Sequence, residues 1–265
     1  MKKIAVCGIA GRMGRAIAMN LLDRGHRLGS AFEYDKSPYI GTDAGILIQR
    51  DLLNTLVSPI DEKYLYDVDG IIDFSSIEAS LSLLDIAKKL KKPLVIGTTG
   101  FSDQQKILIE SAAGEIPLVF SPNMSVGVNL LFKLTEITAK ILENEFDIEI
   151  FEAHHRNKKD APSGTAQRLV DIIKNSVSEL HNADEVYDRS GITEKRTDNE
   201  IGISTLRGGD IIGEHTVYFI GNEERLELTH KAASRNTFAL GAVIAMEFLF
   251  NKPAGFYSMF DVLGF

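Results

Sequence analysis

The densest reactive chemistry in the chain lies in one run, Glu152-Ala153-His154-His155-Arg156-Asn157-Lys158-Lys159-Asp160-Ala161-Pro162-Ser163-Gly164-Thr165-Ala166. Two histidines and three cations fall within residues 154–159, directly after a predicted strand. In a chain of net charge -8, so many cations in one loop mark an anion-handling surface rather than an ordinary solvated one. A metal site built from Glu152, His154 and His155 is a weak reading. Adjacent residues on a strand point to opposite faces, so the two histidines do not easily converge on one ion. The same alternation favours a division of labour, with one histidine facing a substrate and the other supporting the site. Pro162 stops the preceding segment and Ser163 is a plausible N-cap. The amides of Gly164 and Thr165 then open a helix, and a helix N-terminus binds carboxylate or phosphate. Cations beside such an end predict a small, multiply anionic substrate, with Lys158 or a histidine able to donate a proton.

A second constellation stands at the start of the chain. Gly8, Gly11 and Gly14 lie between a predicted strand and a predicted helix, with Ala10 where the commoner dinucleotide fingerprint has its second glycine. Glycine permits the tight turn and lets backbone N–H groups approach a pyrophosphate at a helix N-terminus. The spacing alone is weak, because small-residue turns join many strands to helices. Context strengthens it: Glu33 closes the second strand about 20 residues on, where an acid can hold the adenine ribose hydroxyls. Tyr34 follows, so no arginine stands there to pair with a 2′-phosphate, although Arg12 and Lys36 remain as sources of charge. Tyr34 itself reads either as a surface aromatic or as a ring stacked on adenine. Two further turns, Gly97-Thr98-Thr99-Gly100 and Ser121-Pro122-Asn123-Met124-Ser125, follow predicted strand ends and so should border the same crevice.

The elements that must position these residues follow from periodicity. Strands are expected at Lys3–Cys7, Arg27–Phe32, Gly70–Phe74, Pro93–Ile96 and Ile116–Phe120. Helices are expected between them, notably Ala79–Leu90 and Asp103–Ala113, with Gly25 at a helix C-cap. Alternating strands and helices argue for a parallel, doubly wound sheet. Beyond Phe120 the pattern changes to a long helix (Val128–Leu142), a strand (Phe146–Phe151), the polar loop 154–162 and a helix from Thr165 to Leu180. The charged stretch 181–200 reads as a mobile excursion. Two or three alternating strands over Ile201–His230, joined at Arg207-Gly208-Gly209-Asp210 and Gly221-Asn222, complete a second, α+β region with a mixed sheet. A last apolar helix, Phe238–Phe250, should pack back on the first region. The expected boundary falls near residue 125, with the chain returning near 235, which divides it into 1–125 with 236–265 and 126–235.

Composition narrows the partners. Of 265 residues, 44% are hydrophobic and 25% charged, ordinary for a globular protein able to bury its own core. The single cysteine, Cys7, excludes an intramolecular disulfide and any cysteine-pair zinc site. The negative net charge gives no electrostatic case for nucleic acid or anionic membrane. The opening Met1-Lys2-Lys3 and its short apolar run turn at once into glycines and arginines, unlike a signal peptide. No apolar stretch nears the roughly 18 residues of a spanning helix. The expected location is cytoplasmic.

Several runs together resemble one family. GRMGR (11–15), GTTGF (97–101), Asn123-Met124-Ser125-Val126-Gly127-Val128-Asn129, EAHHRNKKDAPSGTA (152–166), RGGDIIGEHTVYF (207–219) and HKAASR (230–235) are similar to the 4-hydroxy-tetrahydrodipicolinate (dihydrodipicolinate) reductases. The resemblance extends to the Asp261-Val262-Leu263 tail. It implies an N-terminal Rossmann domain completed by the C-terminal helix, and a central substrate domain that also builds a homotetramer. It implies NADH or NADPH as cofactor and reduction of the cyclic imine formed when 4-hydroxy-tetrahydrodipicolinate loses water, in lysine and diaminopimelate biosynthesis. On matching positions it makes His154 the acid/base residue and Lys158 the proton donor. It gives His155, Gly164 and Thr165, beside the Ser163 cap, to the substrate carboxylates. Cofactor contacts fall on Gly8, Ile9, Ala10, Gly11, Arg12, Met13, Glu33, Gly97, Thr98, Thr99, Ser121, Pro122, Asn123 and Met124, with Tyr34 beside them. Tyr34 stands where members often place an arginine for the NADP phosphate, which favours NADH or dual use. Ala10 replaces a common glycine and Met124 a frequent phenylalanine. Rival readings are an amino-acid dehydrogenase acting on an aspartate-like acid and a non-catalytic dinucleotide sensor. Neither needs the His-His-Arg-x-Lys loop followed by Ser-Gly-Thr.

Overall fold

A computed structural model describes residues 1–143, 145–191 and 194–265. The first stretch alternates strand and helix: β1 (Lys3–Cys7), α1 (Arg12–Asp23), β2 (Arg27–Phe32), α2 (Ala44–Leu47), β3 (Val57–Ser58), β4 (Gly70–Asp73), α3 (Ile77–Leu90), β5 (Leu94–Ile96), α4 (Asp103–Ala112) and β6 (Pro117–Phe120). The middle contains α5 (Val126–Leu142), β7 (Asp147–His154), α6 (Gly164–Ser176), β8 (Asp184–Val186), β9 (Glu200–Arg207), β10 (Gly213–Ile220) and β11 (Arg225–Ala232). The chain ends with α7 (Asn236–Leu249), β12 (Gly255–Tyr257) and α8 (Met259–Leu263). Two compact units result, Met1–Val126 with Arg235–Phe265, and Gly127–Ser234.

The first unit is a sheet of order β12-β6-β5-β4-β1-β2-β3 with parallel ladders throughout. Its strands are short apolar runs because helices cover both faces. Ile4, Val6, Ile72, Val95 and Val119 face one layer, with Ile17, Leu21, Val243 and Met246. Ala5, Cys7, Ile71, Leu94, Ile96 and Leu118 face the other, with Leu83, Leu84 and Ile109. Helix starts follow local chemistry: Ser76 caps α3, and Ser102 forms a reciprocal capping box with Gln105 at α4. Gly25, just past α1, takes the left-handed φ of 80° that a helix stop asks for. The last helix, α7, does pack beside α1 and over β4, β5 and β6. The edge strand β12 had no sequence signal; three residues after Pro253 are recruited only by the open edge of β6.

The second unit carries a mixed sheet of order β11-β10-β7-β9-β8, antiparallel on one side of β7 and parallel on the other. The strand expected to stop at Phe151 runs on to His154, because both neighbours continue to pair with it. The helix expected to reach Leu180 ends at Ser176, and a single 3-10 turn, Ser178–Leu180, follows. The stretch 181–200, expected as a mobile excursion, contributes a short strand. Asp184–Val186 pairs with β9 as the edge strand β8, while Ile192 and Thr193 lie outside the described residues. Two of its cations have acidic partners: Arg189 bridges Glu149 and Glu200, each at 2.7 Å, and Arg196 reaches Asp147 at 2.7 Å.

Candidate active site

Reactive residues gather in two places, one in each unit. In the first unit they lie at the carboxyl ends of the strands, where the chain order reverses between β1 and β4. That is where open α/β sheets bind nucleotides. One cavity of about 680 Å³ is lined by Gly8, Gly11, Glu33, Tyr34, Asp35, Pro59, Ile60 and the Phe74–Ser76 turn, among others. A second, of about 450 Å³, shares that turn and adds Met13, Gly97, Thr98 and Thr99.

The glycine turn fits a dinucleotide on steric grounds. Gly8 has φ of 78°, and a Cβ there would meet the Phe74 carbonyl oxygen at 2.2 Å. A Cβ on Gly14 would lie 2.1 Å from the Gly8 oxygen, so this glycine lets α1 approach the strand. Gly11 is exposed, caps α1 without a side chain, and leaves the helix N-terminus open to an anion. Glu33 is already oriented: its Oε2 accepts the Ala10 N–H at 2.9 Å.

Not every expected cofactor residue reaches these cavities. Gly8, Gly11, Met13, Glu33, Tyr34, Gly97, Thr98 and Thr99 line them; Ile9, Ala10, Arg12, Ser121, Pro122, Asn123 and Met124 do not. Ile9 and Met124 have core side chains, and the Ser121 hydroxyl is turned onto the Asn123 carbonyl. Thr98 uses its hydroxyl internally, donating to Asp73 and accepting from the Ser75 amide, each at 3.0 Å. Asp73 is fully buried; burial raises its pKa, against hydroxyl hydrogen bonds from Ser75, Ser80 and Thr98. The Phe74-Ser75-Ser76 turn and Glu78 escaped the sequence reading. The available signal was their position after a buried strand, as for the two turns that were chosen.

The acid-site residues of the second unit owe their convergence to register. On β7, residues 148, 150, 152 and 154 share one face. Ladder partners extend that face: Ile150 pairs with Ile203 and Val217, Glu152 with Thr205 and His215, and His154 with Arg207. The face is therefore apolar at one end and carries glutamate, histidines and arginine at the other. Helix α6 covers it with Ala166, Leu169, Val170 and Ile173, and its Ser163 cap meets the polar end.

Glu152 is the hub, with no solvent exposure. Arg207 grips it with both terminal nitrogens, Nη1 to Oε2 at 2.8 Å and Nη2 to Oε1 at 2.7 Å. His154 Nδ1 lies 2.6 Å from Oε2, while the Ser163 amide and the Thr205 hydroxyl donate to Oε1 at 3.1 and 3.2 Å. Burial works to raise the glutamate, but the bonds from Arg207 and His154 prevail and hold it below its usual range. His154 is held below its usual pKa, chiefly by burial and against the pull of Glu152. Facing an ionised Glu152, its Nδ1 must carry the proton, so the neutral ring presents a lone pair at Nε2. His215 stacks edge-on against it with ring centroids 5.2 Å apart. Burial drives His215 down to about 3, so it is neutral, with Nε2 placed 2.9 Å from the Ser163 hydroxyl.

The loop after β7 is pinned rather than loose. Arg156 N–H donates to Gly209 O, Gly208 N–H to His154 O, and Arg207 to the Asp160 carbonyl. Lys158 Nζ donates to Asp160 at 2.7 Å. Ser163 caps α6 as expected, accepting from the Ala166 amide at 3.2 Å, so Gly164 and Thr165 stand at the helix N-terminus. Five buried side-chain polar atoms lack a partner among the described residues; four of them are the Nδ1 atoms of His155, His215 and His230, and Arg207 Nε. Buried groups of that kind ordinarily bind something. The sequence reading missed Arg207, Thr205 and His215 as members of the site, although all three flank or lie within the RGGDIIGEHTVYF run.

Comparison with known proteins settles the family. Residues 2–124 match the family description "Dihydrodipicolinate reductase, N-terminus", and residues 127–263 match "Dihydrodipicolinate reductase, C-terminus". The chain belongs to the dihydrodipicolinate reductase family. It is 47% identical over 265 residues to the 4-hydroxy-tetrahydrodipicolinate reductase of Syntrophotalea carbinolica, covering 100% of this chain and 99% of that one. The corresponding Hahella chejuensis enzyme is 48% identical, again over 100% of this chain and 99% of its own length. In fold, the chain is similar to a dipicolinate-bound dihydrodipicolinate reductase from Paenisporosarcina sp. TG-14, with TM-score 0.77, 20% identity and 98% of each chain covered. Members of this reductase family are oxidoreductases with a Rossmann-type dinucleotide domain, and the first unit has that architecture. No helix among the described residues is long and apolar enough to cross a membrane.

Proposed function

We propose that this chain reduces 4-hydroxy-tetrahydrodipicolinate to tetrahydrodipicolinate, with loss of water and oxidation of NAD(P)H, in lysine and diaminopimelate biosynthesis. Family membership over nearly the whole chain supports the reaction. The observation that carries the residue assignment is the polar end of the second sheet. There His154, His215 and the Ser163 helix start lie in contact around Glu152, Lys158 acts electrostatically on His154, and Arg207 Nε and His215 Nδ1 are buried without a partner among the described residues.

The dinucleotide supplies a hydride; the chain's own groups must hold two carboxylates and deliver a proton. Gly164 and Thr165 at the start of α6, together with His155, receive the carboxylates, helped by the helix dipole. Lys158 delivers the proton. Its Nζ is a hydrogen-bond donor already directed at Asp160, whereas His154 has its Nδ1–H committed to Glu152, which leaves Nε2 to accept. Gly8–Met13 and Glu33 hold the pyrophosphate and adenine ribose, and the turns at 97–99 and 121–124 flank the nicotinamide half. The first unit is thus the dinucleotide domain and the second the substrate domain.

Three finer points belong to the same reading. Tyr34 is exposed beside Glu33, where an arginine would greet a 2′-phosphate, so NADH serves at least as well as NADPH. The chain works in the cytoplasm. It assembles as a homotetramer through the second unit, where Leu130, Leu134, Ile137 and Ile141 leave an apolar stripe exposed along α5. The deciding experiment supplies enzymatically made 4-hydroxy-tetrahydrodipicolinate with NADH or NADPH and follows loss of reduced-nicotinamide absorbance. No turnover with either cofactor defeats the reading, and a large NADPH advantage defeats the Tyr34 argument. Light scattering of the purified protein reads the assembly.

A further inference from the structure

We infer that Glu152, clamped by Arg207, is the positioning residue of the acid site: one carboxylate oxygen sets the tautomer of His154 and the other holds the Ser163 amide that begins α6. The inference rests on the reading of His154 as a proton-handling residue, but its geometry stands apart from that reading. Glu152 has no exposure, and five donors on four residues reach its two oxygens from three segments: Arg207 twice and Thr205 from β9, His154 from β7 and Ser163 from the start of α6. Two carboxylate oxygens offer about four lone-pair directions, so this group has no capacity left for a substrate. It is not a catalytic residue. It acts through what it holds.

The two oxygens hold different halves of the chemistry. Oε2 accepts from His154 Nδ1, which leaves the lone pair on Nε2; Gly213 makes room there, since a Cβ on it would sit 3.1 Å from Nε2. Oε1 accepts from the Ser163 amide, fixing where the carboxylate-binding helix end begins. Arg207 fixes the carboxylate by a two-pronged grip and also ties down the Asp160 carbonyl, two residues beyond Lys158. The charged and titratable groups around His154 are thus Glu152 on its own strand, Arg207 on β9, His215 on β10 and Lys158 in the loop. Only Glu152 among them accepts from the ring. A glutamine keeps the shape but must turn its amide N–H₂ toward an Arg207 nitrogen in either orientation, and with it toward His154 on one side or Ser163 and Thr205 on the other. The arrangement that spares the bonds at Oε1 points the amide at His154 Nδ1 and pushes the imidazole proton to Nε2.

The test combines tautomer and kinetics. In wild-type protein, long-range ¹H–¹⁵N NMR of labelled histidines, assigned by His154→Gln, should show His154 protonated on Nδ1 at neutral pH. Glu152→Gln should move that proton to Nε2. It should lower kcat by roughly 10²–10⁴-fold, as loss of a correctly held acid/base does, and displace the acidic limb of the kcat/KM profile. KM for NADH should stay within about twofold, the spread expected for a site that the variant does not touch. Arg207→Lys, which keeps the charge and loses the two-pronged grip, should fall between. A wild-type His154 protonated on Nε2 overturns the inference, and that measurement stands even if Glu152→Gln fails to fold. So does a folded Glu152→Gln enzyme with unchanged kcat and pH profile, because a merely structural pair would move stability alone. Absence of any wild-type turnover would instead count against the reductase reading, while the tautomer would still judge this one.

Discussion

Replacing Ser163 with alanine removes one oxygen that joins a helix to a sheet. The hydroxyl accepts from the Ala166 amide at 3.2 Å as the cap of α6 and lies 2.9 Å from His215 Nε2. Loss of a serine cap costs about 1 kcal/mol. Leaving a buried ring nitrogen without a partner adds roughly 1–3 kcal/mol. His215 has nowhere else to turn, since its Nδ1 is unpartnered already. Ser163→Ala should therefore destabilise the second unit by about 2–4 kcal/mol. Ser163→Gly separates the two contributions. Glycine caps a helix nearly as well as serine, so this variant should lose the His215 part alone, about 1–3 kcal/mol. Urea unfolding followed by far-ultraviolet circular dichroism measures both, the chain having no tryptophan. The unfolding of the second unit is fitted as its own transition. In folded protein both variants should raise KM for the substrate and leave KM for NADH unchanged. Two losses below about 0.5 kcal/mol, the ordinary range for a surface change, would show that neither bond matters. A glycine variant less stable than the alanine variant would refute the capping argument.

Three other outcomes are expected. Lys158→Ala should lower kcat by roughly 10²–10⁴-fold with cofactor affinity unaltered; unaltered turnover in a stopped-flow assay would remove Lys158 from proton delivery. His215 has its pKa depressed by burial to about 3, so between its ordinary value and about 3 the unfolded chain binds more protons than the folded one. Its contribution is complete above the ordinary histidine pKa and is lost as pH falls toward about 3, giving a slope in urea-derived stability that His215→Gln should flatten. Gly14→Ala would drive a methyl group to 2.1 Å from the Gly8 oxygen, which neither backbone segment can easily yield. It should cost about 1–3 kcal/mol and weaken NADH binding, read by calorimetric titration; wild-type affinity would show the turn to be more plastic than its contacts imply.

The first sheet was largely readable because its causes are local. Lys3–Cys7, Arg27–Phe32 and the later apolar runs are buried on both faces, and each is followed by its helix, so periodicity alone reports them. Ser163 and Gly25 were likewise legible, since a cap and a left-handed stop are chosen by the residue that occupies them. The strand and ion pairs within 181–200 were not legible because composition counts charges without pairing them. Two of the partners, Glu149 and Asp147, lie on β7, 40 and 49 residues away in the chain from Arg189 and Arg196. The cofactor turn at 121–124 was chosen by position and lies off the two cavities, while Phe74–Ser76, equally placed, borders both.

From residue types and spacing alone come the glycine turn, the acid at Glu33, the cationic loop and the helix that begins after Ser163. These are determined within a dozen or so neighbouring residues, where backbone preferences and short-range hydrogen bonding act. Only the tertiary structure decides that Glu152 serves His154 and Ser163 rather than a substrate or a metal. That role exists because β7 pairs with β9 and β10 in one register, which brings Arg207, Thr205 and His215 onto the same face. Ladder register is a long-range property, and a side chain cannot declare its partner until the strand beside it has been laid down.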